Sequence, residues 1–406
     1  MVRGVRSNHP DTGEAESCGA CSKIGNEGLG IAHAALYLTR GRGSHPGDRP
    51  DRTVDGTSDP TGDCSFASSS IPHTTVDLLS VDPLRPDPAR IAEAAERLRS
   101  GGLVAFPTET VYGLGADATS AAAIAGIYEA KGRPATNPLI VHAPDPEAAR
   151  ALARVWPNEA QRLAEEFWPG PLTLVLPRAP GLADEGSAGL DTVGIRVPAH
   201  PVATALLEAT GGPVAAPSAN RSTTLSPTTA EHVAMGLATA QGLVLDGGPT
   251  PVGIESTVIS LAGNPTLLRP GAVTAREIEE IVGPLRRPDR PDHAPGDAAP
   301  SPGLMHRHYA PSARLVVFTD PDQARAGIRR SALEGRPTGA LLRDPLDAPI
   351  DHALPMPADP REYARLLYAA LHALDRAGAR EIWIEAAPDG EAWDAVRDRL
   401  RRASAS

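Results

Sequence analysis

From residue 75 onward the chain repeats one unit: a short apolar run of strand length, a turn marked by Gly or Pro, and an amphipathic helical stretch. That alternation argues for an α/β domain with an open twisted sheet, and 39 Gly with 42 Pro are too many for a helical bundle. The pattern predicts strands at 75–81, 103–106, 139–142, 172–176, 193–197, 214–216, 243–245 and 257–260. Helices are expected over 88–100, 121–129, 145–154, 158–167, 201–210, 229–236 and 274–281. In the first of them Ile91, Ala94, Ala95 and Leu98 share one face, and Gly101-Gly102 closes it as a C-cap. Residues 283–303, dense in Pro, Asp, Arg and Gly, interrupt the alternation and read as a linker. Beyond them come strand 314–318, helix 321–333, strand 339–342, helix 360–377, strand 381–385 and helix 391–403. That order predicts a small Rossmann-like parallel sheet with right-handed crossovers. It lacks a G-x-G-x-x-G, so dinucleotide binding there has no support. Residues 1–75 hold 11 Gly and 9 Ser but only 3 Leu, with no sustained period. They read as a disordered extension or an upstream start chosen wrongly.

Charge and cysteine usage narrow the function. The formal charge is −11, and 7 of the 39 basic and 9 of the 50 acidic residues precede residue 76, leaving −9 for the rest. Bulk electrostatic binding of nucleic acid is therefore disfavoured, and aromatics at 3% leave little for base stacking. No apolar run approaches 18 residues, so no membrane span is expected and the chain reads as cytoplasmic. Cys18, Cys21 and Cys64 all lie in the first 64 residues, and the Cys18–Cys21 pair has no second ligand pair. The remainder has no cysteine nucleophile and no Cys-ligated zinc.

The basic residues carry the sharper signal. Only two of them are lysines, Lys23 and Lys131; Arg stands almost everywhere else. A lysine surviving such drift inside a folded region marks a place where a compact ammonium is needed and a planar fork does not serve. The segment Lys131-Gly-Arg-Pro-Ala-Thr-Asn-Pro138 puts Lys131 and Arg133 at a helix end, in a loop stiffened by two prolines and carrying Thr136 and Asn137. Two cations with hydrogen-bond donors suit a polyphosphate; offsetting the helix dipole is the plainer role.

Other polar residues also follow predicted strands beside Gly or Pro: Thr108, Glu109 and Thr110; Arg196; Pro217-Ser-Ala-Asn220; Val252–Val258; and Leu268-Arg-Pro-Gly271. Each alone is a turn, and Arg196 alone is an edge-strand cation or a carboxylate ligand. Six such loops in one region outweigh the plain reading, because ligands of open α/β sheets lie beyond strand ends. His306-Arg-His-Tyr-Ala-Pro311 after the linker reads as a segment closing over a site; its H-x-H lacks a third metal ligand. P-loop, G-x-S-x-G and H-E-x-x-H motifs are absent.

Pro107-Thr-Glu-Thr-Val-Tyr-Gly-Leu-Gly115, Lys131-x-Arg-Pro-x-x-Asn-Pro-Leu139, Pro217-Ser-Ala-Asn220, Ser256-Thr-Val258 and Arg269-Pro-Gly271 closely resemble the threonylcarbamoyl-AMP synthases, the YrdC-type domain family. Ser301-Pro-Gly and Arg307-His-Tyr-Ala-Pro311 resemble the linker of the longer, two-domain subgroup. The resemblance covers roughly 76–403; residues 1–75 match nothing in it. It implies an α/β fold: a YrdC-type open twisted mixed sheet with helices, plus a small Rossmann-like parallel-sheet C-terminal domain. The expected division is a 1–75 extension, a catalytic domain at 76–282, a linker or lid at 283–311 and the second domain at 312–406.

The resemblance further implies that L-threonine, bicarbonate and ATP give threonylcarbamoyl-AMP and pyrophosphate, for a separate transferase complex that modifies tRNA beside the anticodon. It maps threonine contacts onto Thr110, His142, Arg196, Ala216 and Ser256. ATP contacts map onto Arg133, Asn137, Thr192, Ser218, Ser226, Arg269 and Tyr309, with Lys131 near the phosphates and Lys131 and Arg133 as the catalytic cations. Mg²⁺ is expected to arrive with ATP, and no tightly bound protein-ligated metal is expected. Two other readings are disfavoured: an RNA-binding module, opposed by the −9 charge, and a carbamoyl-group handler of hydrogenase maturation, opposed by missing zinc-finger cysteines.

Overall fold

The computed structural model describes residues 77–237, 242–287, 298–299, 301–302 and 308–405. The expected 1–75 extension, with its three cysteines, and most of the linker, including His306 and Arg307, lie outside them.

Ten strands form one mixed sheet: β1 (Asp77–Ser80), β2 (Val104–Pro107), β3 (Tyr112–Asp117), β4 (Ile140–His142), β5 (Leu172–Pro177), β6 (Thr192–Arg196), β7 (Val214–Ala215), β8 (Leu243–Asp246), β9 (Thr257–Ser260) and β10 (Thr266–Arg269). Their spatial order is β1-β8-β2-β3-β7-β4-β6-β5-β9-β10. The helices of this part are α1 (Pro88–Arg99), α2 (Ala121–Lys131), α3 (Pro146–Ala151), α4 (Asn158–Phe167), α5 (Pro201–Thr210), α6 (Ala230–Gly236) and α7 (Ala275–Val282). Helices cover both faces, which is why the strands read as unbroken apolar runs. In β2 the side chains alternate: Val104 and Phe106 pack with Leu98 of α1 and Leu206 of α5, whereas Ala105 joins Ile124 and Ile127 of α2.

A second sheet, all parallel, has the order β11 (Arg314–Phe318), β14 (Glu381–Glu385), β12 (Thr338–Leu342), β13 (His352–Pro355). Its helices are α8 (Pro321–Leu333), α9 (Pro360–Arg376) and α10 (Asp394–Ala403). Both sheets thus agree with the expected fold class, a mixed α/β sheet plus a small parallel one.

Three strands differ from the sequence expectation. The segment after β2 is the tight turn of an antiparallel hairpin that continues as β3. Thr108 holds that turn, its Oγ1 accepting from the backbone N–H groups of Thr110 and Val111. β10 pairs antiparallel with β9 across an irregularity at Leu267 and Arg269. β13, His-Ala-Leu-Pro, follows β12 with no helix between. Four residues with no β-branched side chain carry no strand signal; pairing with β12 makes the strand. The helix expected over 145–154 is confined to Pro146–Ala151.

Candidate active site

Nine of the expected site residues meet at one open cleft of about 520 Å³, lined by the β2–β3 turn, the ends of β4 and β6, the loop after β7, the approach to β9, the end of β10, and Pro302, His308 and Tyr309 of the linker. Local sequence explains the placement. Ser120 caps α2, its side chain accepting from Ala123 N–H, and Gly132 ends the helix in the left-handed conformation at φ 57°. That turn sends Arg133 back toward the sheet, where its Nε donates to Asn137 O at 3.0 Å and its Nη2 to Pro138 O at 2.8 Å.

On the opposite wall His142 and Arg196 are paired neighbours across the parallel strands β4 and β6. Arg196 Nη2 lies 2.7 Å from Glu109 Oε1, with both side chains buried. Glu109 Oε2 accepts from Ala199 N–H at 3.1 Å, and Arg196 Nε donates to Gly170 O at 3.3 Å. Burial first, and then the nearby Arg196 charge, push the His142 pKa down to about 3, so its imidazole is neutral. Its Nδ1 is buried with no hydrogen-bond partner.

Ser256 shares a hydrogen bond of 2.8 Å with Thr173 and accepts from Arg269 Nη2 at 3.1 Å. Arg269 Nε donates to Ser256 O at 3.1 Å. The close approach needs Gly271: a Cβ there would stand 2.3 Å from Thr257 N. Tyr309 is fully buried, sits at φ 62° in a conformation L residues avoid, and has an Oη without a partner. Strained backbone of this kind collects at functional sites. Buried orphan polar atoms are rare in folded proteins, yet His142 Nδ1, both amide atoms of Asn137, His308 Nδ1 and Tyr309 Oη occur around this one region.

The cleft brings together Thr110, His142, Arg196, Ala216 and Ser256 with Arg133, Ser218, Arg269 and Tyr309. Four of the expected residues do not line it. Thr192 lines a neighbouring cavity of about 220 Å³ with Ser301 and Pro302. Asn137 is buried behind Arg133. Ser226 donates to Glu255. Lys131 is buried, its Nζ donating to Ser218 O, Asn220 O and Asn220 Oδ1. Burial, then the Arg133 charge, draw the Lys131 pKa well down. Three oxygen acceptors nevertheless require the three protons of an ammonium group, so we assign it the charged form.

Residue-by-residue reading of the sequence missed the wall partners. Glu255 lines the cleft, but its partners Tyr368 and Arg399 lie more than a hundred residues away, where no local pattern points to them. His308 appeared only within a linker motif.

The buried histidines set a pH prediction. Burial is the first cause that lowers His142 to about 3, His308 to about 3, His232 to about 2 and His372 to about 4. The last two stack at 3.8 Å and join α6 to α9. Unfolded histidines titrate near 6.5, so above that pH neither state gains a proton and stability is flat. As pH falls from about 6.5 toward the folded values, only the unfolded chain protonates, and stability drops by about 1.4 kcal/mol per pH unit for each histidine. Urea unfolding midpoints at pH 7.5, 6.5, 5.5 and 5 check this; midpoints that do not fall below pH 6.5 refute it.

A family model described as "Telomere recombination" (Sua5_yciO_yrdC) matches residues 96–271, and one described as "Threonylcarbamoyl-AMP synthase, C-terminal domain" matches 273–405. The chain is 44% identical over 321 residues to the threonylcarbamoyl-AMP synthase of Pyrococcus abyssi, covering 78% of this chain and 94% of that protein. It is 42% identical over 330 residues to that of Bacillus subtilis, covering 80% and 95%. The crystal structure of P. abyssi Sua5 complexed with L-threonine superposes with a TM-score of 0.75 at 43% identity, covering 80% of this chain and 97% of that one.

Proposed function

Since the chain belongs to the threonylcarbamoyl-AMP synthases of the two-domain Sua5 type, a nucleotidyltransferase family serving the threonylcarbamoyladenosine modification of tRNA, we propose how its cleft divides the work. Arg196 receives the threonine carboxylate, with Thr110, Ser256 and the Ala216 backbone around the rest of the amino acid. Neutral His142 offers an uncharged polar edge beside it. Arg133, Ser218, Arg269 and Tyr309 receive ATP, which enters as its magnesium complex, and Asn137, Thr192 and Ser226 support that wall. Magnesium belongs to the substrate in this reading; among the described residues no group of three or more His, Cys, Asp or Glu side chains is placed to hold a metal ion.

Threonine nitrogen and bicarbonate form a carbamate with loss of water. A carbamate oxygen then attacks the α-phosphorus; the bond to the bridging oxygen breaks and pyrophosphate leaves with the electron pair. Arg133 and Arg269 supply fixed positive charge where negative charge accumulates, and little covalent work is left to the protein. The observation carrying this reading is the pairing of a carboxylate-type pocket, Arg196 beside His142, with two buried guanidinium groups in one cleft. Linker residues such as Tyr309 close over the labile intermediate and exclude water.

The division at 76–282, 283–311 and 312–406 belongs to the same proposal, as do a cytoplasmic location and handover to a tRNA-modifying transferase. No helix among the described residues is long and apolar enough to cross a membrane. Nucleotide products are to be analysed with ATP, threonine and bicarbonate, each omitted in turn. Pyrophosphate and the adenylate are expected only with all three; pyrophosphate release lacking threonine or bicarbonate refutes the assignment.

A further inference from the structure

Among the described residues Arg399 is the largest fully buried side chain, although it comes from α10, the last helix of the second sheet layer. Its guanidinium reaches three separate pieces of the cleft wall. Nε donates to Glu255 Oε2 at 2.8 Å and Nη2 to Glu255 O at 3.3 Å. Nη1 donates to Pro270 O at 2.9 Å. Its central carbon stands 5.2 Å from the centre of the Tyr309 ring, within cation–π range. Glu255 precedes Ser256, Pro270 follows Arg269, and Tyr309 lines the cleft itself.

The surroundings hold this cation in place. Asp398 Oδ2 lies 3.0 Å from Nη1, and Tyr368 of α9 donates to Glu255 Oε2 at 3.1 Å. Gly253, at φ +78°, lies so close to α9 that a Cβ would come within 2.4 Å of Arg365 O. The linker is tied down as well, with His308 N–H donating to Arg402 O at 3.2 Å.

We propose that Arg399 is a positioning residue for the synthase reaction, fixing Ser256, Arg269 and Tyr309 relative to one another, so that the second sheet layer forms the back wall of the first layer's cleft. The inference rests on the proposed substrate roles of those three residues. A planar fork reaches two carbonyl oxygens and a carboxylate at once; an ammonium carries the same charge and cannot span them. Without the fork, Glu255 keeps its buried negative charge and turns to Arg269, the next cation in its field. Arg269 is then drawn away from Ser256 and from the nucleotide.

The test uses the full-length chain with Arg399→Lys, Arg399→Met and the double variant Glu255→Gln/Arg399→Met. Two readouts are taken: steady-state kinetics with each substrate varied, and amide hydrogen exchange in 254–257, 269–271 and 308–310. Arg399→Lys is expected to stay folded, to lose protection in those three segments, to raise the KM for ATP at least tenfold and to lower kcat. Neutralising Glu255 in the double variant should recover at least threefold in ATP KM over Arg399→Met, because Arg269 is released. A role confined to stability would restore the melting temperature in the double variant and leave the ATP KM where Arg399→Met puts it, and absence of the KM rescue overturns the proposal. Unchanged exchange in Arg399→Lys also overturns it, leaving the proposed function intact. Loosened exchange with unchanged kinetics, in Arg399→Lys and in Arg269→Ala alike, overturns the substrate assignment and the inference with it.

Discussion

Arg196→Gln raises the KM for threonine at least a hundredfold and leaves the KM for ATP within a few-fold of the parent. Arg196 is buried at the end of β6, next to His142, with its Nη2 held 2.7 Å from Glu109. An arginine so anchored presents its remaining N–H groups in a fixed direction, which is what bidentate carboxylate recognition needs. Gln keeps polarity and approximate length but loses the charge. Loss of one partner of a buried, hydrogen-bonded charge pair costs about 2–5 kcal/mol, and each 1.4 kcal/mol is a factor of ten.

Part of that cost belongs to folding, since Glu109 is left with its carboxylate buried and unpaired. The double variant Glu109→Gln/Arg196→Gln separates the two. It should regain most of the lost thermal stability and none of the lost threonine affinity. Calorimetric titration with threonine checks the outcome; near-parental affinity in Arg196→Gln refutes the carboxylate role.

Lys131→Arg and Lys131→Met each abolish synthesis to below about one part in a hundred. The sequence singles this residue out by rarity, and the family resemblance places it near the phosphates. The fold adds a second role for the same ammonium. Lys131 Nζ satisfies Ser218 O and Asn220 O, and so clamps the loop that presents Ser218 to the cleft.

Methionine leaves those oxygens buried without a donor, at about 1–3 kcal/mol each. Arginine brings a larger planar group into a site that is 2% exposed and has no room for it. Both variants therefore lose thermal stability as well as activity, and the activity loss shows chiefly in ATP use. A melting temperature and an ATP saturation curve for each variant decide the matter. Unchanged stability with lost activity would favour direct phosphate contact over the clamp. Retained turnover would refute both.

Much of the first sheet was legible because its two covered faces write continuous apolar runs, and because Ile91, Ala94, Ala95 and Leu98 fall on the one face of α1 that is buried. The wall proposed to receive threonine was legible as part of one cleft. Thr110, His142, Arg196, Ala216 and Ser256 each stand at a strand end or in a strand-end loop, where backbone direction alone decides that they face the cleft. β10 and β13 were not legible: four-residue strands owe their existence to a neighbour, and no local propensity distinguishes them from loop. Lys131 shows the limit most clearly, since rarity marked it as special while only the fold shows which oxygens it holds.

The sequence by itself determined the α/β class, the two-part sheet organisation and the strand-end loops that line the cleft, because periodicity and turn chemistry act over a few residues and survive in linear order. Only the tertiary structure decided which charges meet. Glu109 pairs with Arg196 across 87 positions and Glu255 with Arg399 across 144. An ion pair's energy depends on distance and burial in space, and neither is encoded at either position alone.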